Sequence, residues 1–210
     1  MASWPVIEHV SQTLKRIIKT HVDTMWPGSG VEVRVATPHL FTALRETNTA
    51  TITIFLYRFV ENGELRNSPM RRLPGGELQR APMQLELCYL MTAWGARDRD
   101  PLTKDELASF EEHKLMGLVL QALYDKGELG RAELYDDPAL TAPAWGAIES
   151  VQVLHETLPI EDLYRIWDSS ELAYQLSAAY RVRIVGIDST AVRAAPPVTE
   201  GTFAYDRKRE

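Results

Sequence analysis

The chain has 210 residues with 23 basic and 29 acidic side chains, a net charge of −6 with histidine neutral. A chain of that length fits one domain that buries about 70% of its unfolded surface, enough for an unaided core. Its 45% hydrophobic and 25% charged content excludes wholesale disorder, and its single cysteine excludes an internal disulfide framework. The net acidity weighs against nonspecific nucleic-acid binding, which needs basic surface to displace counterions.

Trp4 to Val22 reads as an amphipathic helix, because Val6, Ile7, Val10, Leu14, Ile17, Ile18 and Val22 recur at spacings of three and four. Ser3 is the expected N-cap, with Pro5 tolerated in the first turn. Charged residues interleave this segment, so no secretory leader is expected, and synthesis and assembly are expected in the cytoplasm. No apolar run reaches the ~20 residues that span a bilayer. After the break at Pro27, Val31, Val33 and Val35 alternate with Glu32 and Arg34, as a half-buried strand would.

Ala50 to Val60 predicts a central strand covered on both sides. Ile52, Ile54, Leu56 and Val60 occupy one face, and Phe55, Tyr57 and Phe59 the other. Met83 to Trp94 has the same character, with Leu85, Leu87, Tyr89 and Met91 opposite Cys88, Leu90 and Trp94. Between them, Glu61 to Pro82 is rich in Gly and Pro and reads as a long hairpin loop. Ala96 to Pro101 is a charged connector. Thr103 and Glu106 have capping-box spacing, opening a helix to about Tyr124 with Leu107, Phe110, Leu115, Leu118, Val119, Ala122 and Leu123 inward. Residues 127–147 read as irregular. A strand over Ile148–Glu156, a short helix from Pro159 with Leu163, Ile166 and Trp167 inward, and a strand over Ser177–Asp188 follow. The expectation is a single α+β domain over residues 1–188, a mixed or antiparallel sheet with flanking helices, plus a tail over 189–210.

Catalytic signatures are missing. There is no G-x-G-x-x-G, P-loop, G-x-S-x-G or H-E-x-x-H. Glu111, Glu112 and His113 could in principle bind a divalent ion, but adjacent helix positions diverge by about 100°, and a solvated face is the plainer account. His9 and His21 could face one another only if the first helix packed against another copy. His155 and Glu156 point to opposite faces of their strand. Cys88 in an apolar strand reads as a small buried hydrophobe. No catalytic, metal or cofactor site is therefore assigned. Trp94 and Trp167 read as core; Trp4, Trp26 and Trp145, beside Pro or Gly, could serve as interface anchors, although core is the commoner role.

The candidate interface residues lie in the loop and connector: Glu61, Glu64, Arg66, Arg71, Arg72, Arg80, Arg97, Asp98 and Arg99. With Glu77 included the loop is nearly balanced in charge, which suits docking on an acidic protein surface better than on nucleic acid. A solvated loop is the plain alternative.

Four blocks in order carry a family resemblance: Thr51–Arg58 with Glu61–Asn67; Pro82–Trp94; Glu112–Leu123; and Leu163–Trp167 with Ser177–Asp188. Together they resemble the tail-terminator or cap family of contractile injection systems, phage-tail-like particles of the virulence-cassette and antifeeding-prophage type. The resemblance implies a tail-terminator-like α+β fold and a non-enzymatic structural role without cofactors. It implies a six-fold ring of copies that seats on the inner tube and sheath and stops their polymerisation. Such a particle component is not expected to contact membrane or nucleic acid directly. The alternative is an adaptor that joins tube to sheath or tethers the particle to a cellular component. Six copies at −6 each would bring together about −36, a repulsion that the ring contacts must offset.

Overall fold

Alternating apolar residues in the long strands and a 3.6-residue stripe in the first helix organise the molecule around one sheet. The computed structural model describes residues 3–37, 49–96, 104–140, 144–146 and 148–194. Among these, helix α1 spans Val6–Met25, strand β1 Glu32–Val35, β2 Thr51–Glu61, β3 Arg71–Arg72, β4 Glu77–Gln79 and β5 Met83–Trp94. Helix α2 spans Lys104–Asp125, followed by β6 Glu128–Gly130, β7 Ser150–Glu156, α3 Ile160–Asp168, β8 Ser177–Ile187 and β9 Val192–Ala194. Six strands form a mixed sheet in the order β1-β2-β5-β8-β7-β6, in which only β1 and β2 run parallel. Strands β3, β4 and β9 form a second, antiparallel sheet.

Helices α1 and α2 cover one face of the large sheet. Val6, Val10, Leu14, Ile18 and Val22 of α1 meet Leu115, Val119 and Leu123 of α2 over Ile52, Ile54, Leu87, Tyr89, Met91 and Val182. The opposite face carries a smaller core, where Leu163 and Trp167 of α3 pack on Leu90, Trp94 and Ala179, with Phe55 and Tyr57 at its margin. Trp94 and Trp167 meet edge to face at 6.0 Å between ring centroids. The two-sided burial expected of β2 and β5 is what the sheet requires.

Several local expectations are corrected. Ser3 is not a side-chain cap; Pro5 occupies the N-cap position of α1, and the Ser3 carbonyl accepts the Val6 amide at 3.1 Å. In β2, a bulge at Tyr57 shifts the register between Leu56 and Arg58, so the strand changes phase. Phe59 therefore stands opposite Leu87 on the helix-covered side, 65% exposed, while Val60 joins the opposite face. Leu107 and Phe110 of α2 do not point inward; they are 63% and 53% exposed.

The stretch expected to be irregular contains strand β6 and packs on α1, where the Tyr135 amide donates to Thr13 Oγ1 at 2.8 Å. Trp145, in the same stretch, is fully buried and donates to the Tyr135 carbonyl at 2.7 Å. The segment expected as a tail opens with β9; residues 195–210 lie outside those described.

Candidate functional site

Among the described residues the most distinctive features lie on surfaces rather than in a side-chain cluster of catalytic type. The segment Glu61–Pro82 is more ordered than a bare loop. Asn62 Oδ1 accepts the Glu64 and Leu65 amides at 3.1 and 3.4 Å, turning the chain out of β2, and Glu61 lies 3.6 Å from Arg66. The Leu73 amide donates to the Glu77 carbonyl at 2.8 Å and closes the β3–β4 hairpin. Its turn needs Gly75 and Gly76 at φ 101° and 83°, values a side chain disfavours.

Strand β9 then adds alongside β4. The register aligns Arg72 with Leu78 and Leu78 with Arg193, so these three side chains share one face of the small sheet. Arg71, Gln79 and Val192 share the other, where Gln79 is buried and donates to the Ser189 carbonyl. Of the expected interface residues, Arg71 and Arg72 thus form β3, Glu61 ends β2, Arg80 follows β4, and Glu64, Arg66 and Arg80 are exposed. Arg97, Asp98 and Arg99 lie outside the described residues. Arg193 was not among the candidates, because only its pairing with β4 brings it there.

A second surface lies on α2. Its outer side mixes charged and polar residues with four large exposed apolar ones, Leu107 and Phe110 toward one end and Leu120 and Tyr124 toward the other. Gly117, between these two pairs, is exposed, and a Cβ added there would meet nothing within 4 Å. Leu120 and Tyr124 border an open groove of about 750 Å³ whose other wall is Val153, Leu154, His155 and Tyr180. Burial holds the Tyr180 hydroxyl up to about 12, so it stays a neutral hydrogen-bonding group there.

The open half of the opposite sheet face holds an ionic cluster. Arg181 donates to Glu86 at 3.1 Å and also to Glu156, and Arg183 donates twice to Glu86 at 3.0 and 2.8 Å. Its two carboxylates and two guanidiniums balance, tying β5, β7 and β8 together. The neighbouring carboxylates raise the Arg181 pKa, chiefly through the hydrogen bond to Glu156. Cys88 lies in the adjoining cleft, buried as expected, and burial, then Glu156, pushes its thiol up, away from a reactive thiolate. The Tyr57 hydroxyl there is raised for the same two reasons. The sequence signal for this cluster was Glu86 inside an apolar strand and the Arg-Val-Arg alternation of β8.

Most of the remaining candidates are taken up by the fold. Glu112 and Glu111 accept the Gly95 and Ala96 amides at the end of β5, so these carboxylates are more than a solvated face. His9 is buried edge-on to Tyr135 at 5.3 Å, and His21 reaches Gln121 of α2 at 3.2 Å, so neither awaits a second copy. His155 packs edge-on to Tyr180. Trp26 is half-buried beneath Lys114, and Trp4 is 78% exposed. Among the described residues, no three His, Cys, Asp or Glu side chains are grouped to hold a metal ion, and no helix is long and apolar enough to cross a membrane.

Residues 9–200 match the model of the Pvc16 N-terminal domain family. The chain belongs to that family. Its fold resembles that of the PVC sheath/tube terminator of an extracellular contractile injection system in the extended state, with a TM-score of 0.63 and 20% identity. That match covers 100% of this chain and 66% of the other. The anti-feeding prophage tube terminating cap matches with a TM-score of 0.60 and 20% identity, over 93% of this chain and 60% of that one. This member of the Pvc16 N-terminal domain family therefore spans about two thirds or less of the solved chains it resembles. No curated protein sequence matches it significantly.

Proposed function

We propose that this chain is a structural, non-enzymatic terminator of a contractile injection particle, forming a six-fold ring that caps tube and sheath. The observation that carries this reading is the family membership over residues 9–200, joined to a fold shared with a sheath/tube terminator and a tube terminating cap. A terminator must fit the last ring of a polymer with one surface and present no copy of that polymer's end on the other, which turns an open stack into a closed one. Exposed apolar side chains on α2 and the small three-stranded sheet supply surfaces beyond what the fold needs for its own core. The partners under this reading are further copies of the chain, the inner tube protein and the sheath protein, within a particle assembled in the cytoplasm of a bacterium.

The test is electron microscopy of particles made with and without the gene. The expected result is tails of irregular length, or none, in its absence, with density for this chain at one tail end in the complete particle. Tails of unchanged, uniform length without it would sink the terminator reading. Density along the interior, or co-purification with membranes, would instead support the adaptor.

A further inference from the structure

We propose that copies of this chain join head to tail, the Arg72–Leu78–Arg193 row of the small sheet in one copy seating on a Glu161–Tyr164–Asp168 ridge of α3 in the next. This contact rests on the terminator reading and names the surfaces through which its ring would close.

The register of β3, β4 and β9 puts the two arginines on either side of Leu78, two strand spacings apart, or about 10 Å. On α3, Glu161, Tyr164 and Asp168 follow the i, i+3, i+7 spacing of one helix face, and all three are exposed. Seven residues of helix rise place the two carboxylates about 10.5 Å apart with the tyrosine between them. A basic–apolar–basic row thus faces an acidic–aromatic–acidic row of the same length. Guanidinium–carboxylate pairs at both ends would hold Leu78 against the Tyr164 ring, which Tyr174 backs at 5.3 Å between centroids.

The surrounding charges agree. Arg66 is paired with Glu61 and Arg165 with Asp162, whereas Arg72, Arg193, Glu161 and Asp168 make no ion pair among the described residues. Glu77 is on the other face of β4, one residue from Leu78. Glu171, just past α3, adds to the negative ridge, and Arg71 and Arg80 add to the positive side. A chain of net charge −6 repels its own copies at long range, so a local basic row is where a second copy would dock.

One copy cannot satisfy both rows itself. Helix α3 packs beside Ala179 and Arg181 near the start of β8, while the small sheet follows its far end at Ile187. Six strand residues separate them by about 20 Å. Each copy therefore offers one row at each end. Such unlike surfaces generate a heterologous contact, which closes into a ring when the rotation permits.

The test uses two double variants of the full chain, R72E/R193E and E161R/D168R, their equimolar mixture, and the chain carrying all four changes. All four positions are exposed, and far-ultraviolet circular dichroism checks that each variant is folded. Sedimentation velocity over a concentration series should show wild-type association and a loss of about tenfold or more in each double variant. The mixture should recover it, since each reversed row then meets a reversed ridge, and so should the four-fold variant. A wild type that stays monomeric, reversals without effect, or losses that neither combination restores would each overturn the contact. If the contact fails in this way while particles lacking the chain still grow irregular tails, the terminator reading survives it. Uniform tails without the chain sink that reading whatever the sedimentation shows.

Discussion

Helices α1 and α2 cover the same face of the same sheet and have 20 and 22 residues, yet they treat their outer surfaces in opposite ways. α1 buries one stripe, from Val6 to Val22, and gives Glu8, Arg16, Thr20 and Asp23 to solvent. α2 buries Ala108, Leu115, Val119 and Leu123 but also carries Leu107, Phe110, Leu120 and Tyr124 outward. An amphipathic helix is fully explained by the fold it joins. A helix that also exposes large apolar side chains has more apolar surface than its own sheet covers, and the surplus is what an assembly partner would bury.

The sharpest way to break this comparison is to truncate both helices. Leu14→Ala, in the fully buried stripe of α1, should cost about 2–5 kcal/mol, read as a lower urea midpoint of the isolated chain. Tyr124→Ala on the outer face of α2 should stay within about 0.5 kcal/mol of wild type. Equal losses would mean that the outer face of α2 is already part of the core.

A smaller loss is expected where α2 meets β5. A Cβ on Gly95 would press into the Ala108 carbonyl of α2, well inside van der Waals contact. Gly95→Ala should therefore cost roughly 1–3 kcal/mol by the same measurement, as overpacking does elsewhere. An unchanged midpoint would show that α2 is free to move off the sheet at its N-terminal half.

Gly117→Ala should act in the other direction. With open space around its Cβ, alanine should raise the stability of the isolated chain by up to about 1 kcal/mol, seen as a higher melting temperature. If the same change weakens assembly, the glycine marks a close approach by a partner; if it lowers stability, the outer face of α2 at that point is occupied within the chain. Least of all should Leu107→Ser with Phe110→Ser disturb folding, by no more than about 0.5 kcal/mol, while light scattering from concentrated solutions falls.

Much of the fold was legible in the residues. β5 runs over the same residues as its apolar alternation, Met83–Trp94, and α1 follows its stripe to within a few positions. What escaped were elements too short to carry a pattern. β3, β4, β6 and β9 have two or three residues each and exist through their partners, not through local propensity. The bulge at Tyr57 was equally silent, because an inserted residue reverses the faces of all that follow without altering composition. On α2 the pattern was ambiguous: with apolar residues on more than one side, spacing alone could not say that Leu107 and Phe110 face out.

The candidate surface divides in the same way. Arg71 and Arg72 stood out in the sequence as charge in a Gly- and Pro-rich segment, and the four ordered blocks pointed to the family by themselves. Local periodicity fixes which side of each element is apolar, since it depends only on near neighbours along the chain. The tertiary structure alone decided that Arg193 joins Arg72 across β4, and that Glu86 meets Arg181 and Arg183. Register between strands distant in sequence is set by how the whole chain closes on itself, and no local spacing encodes it.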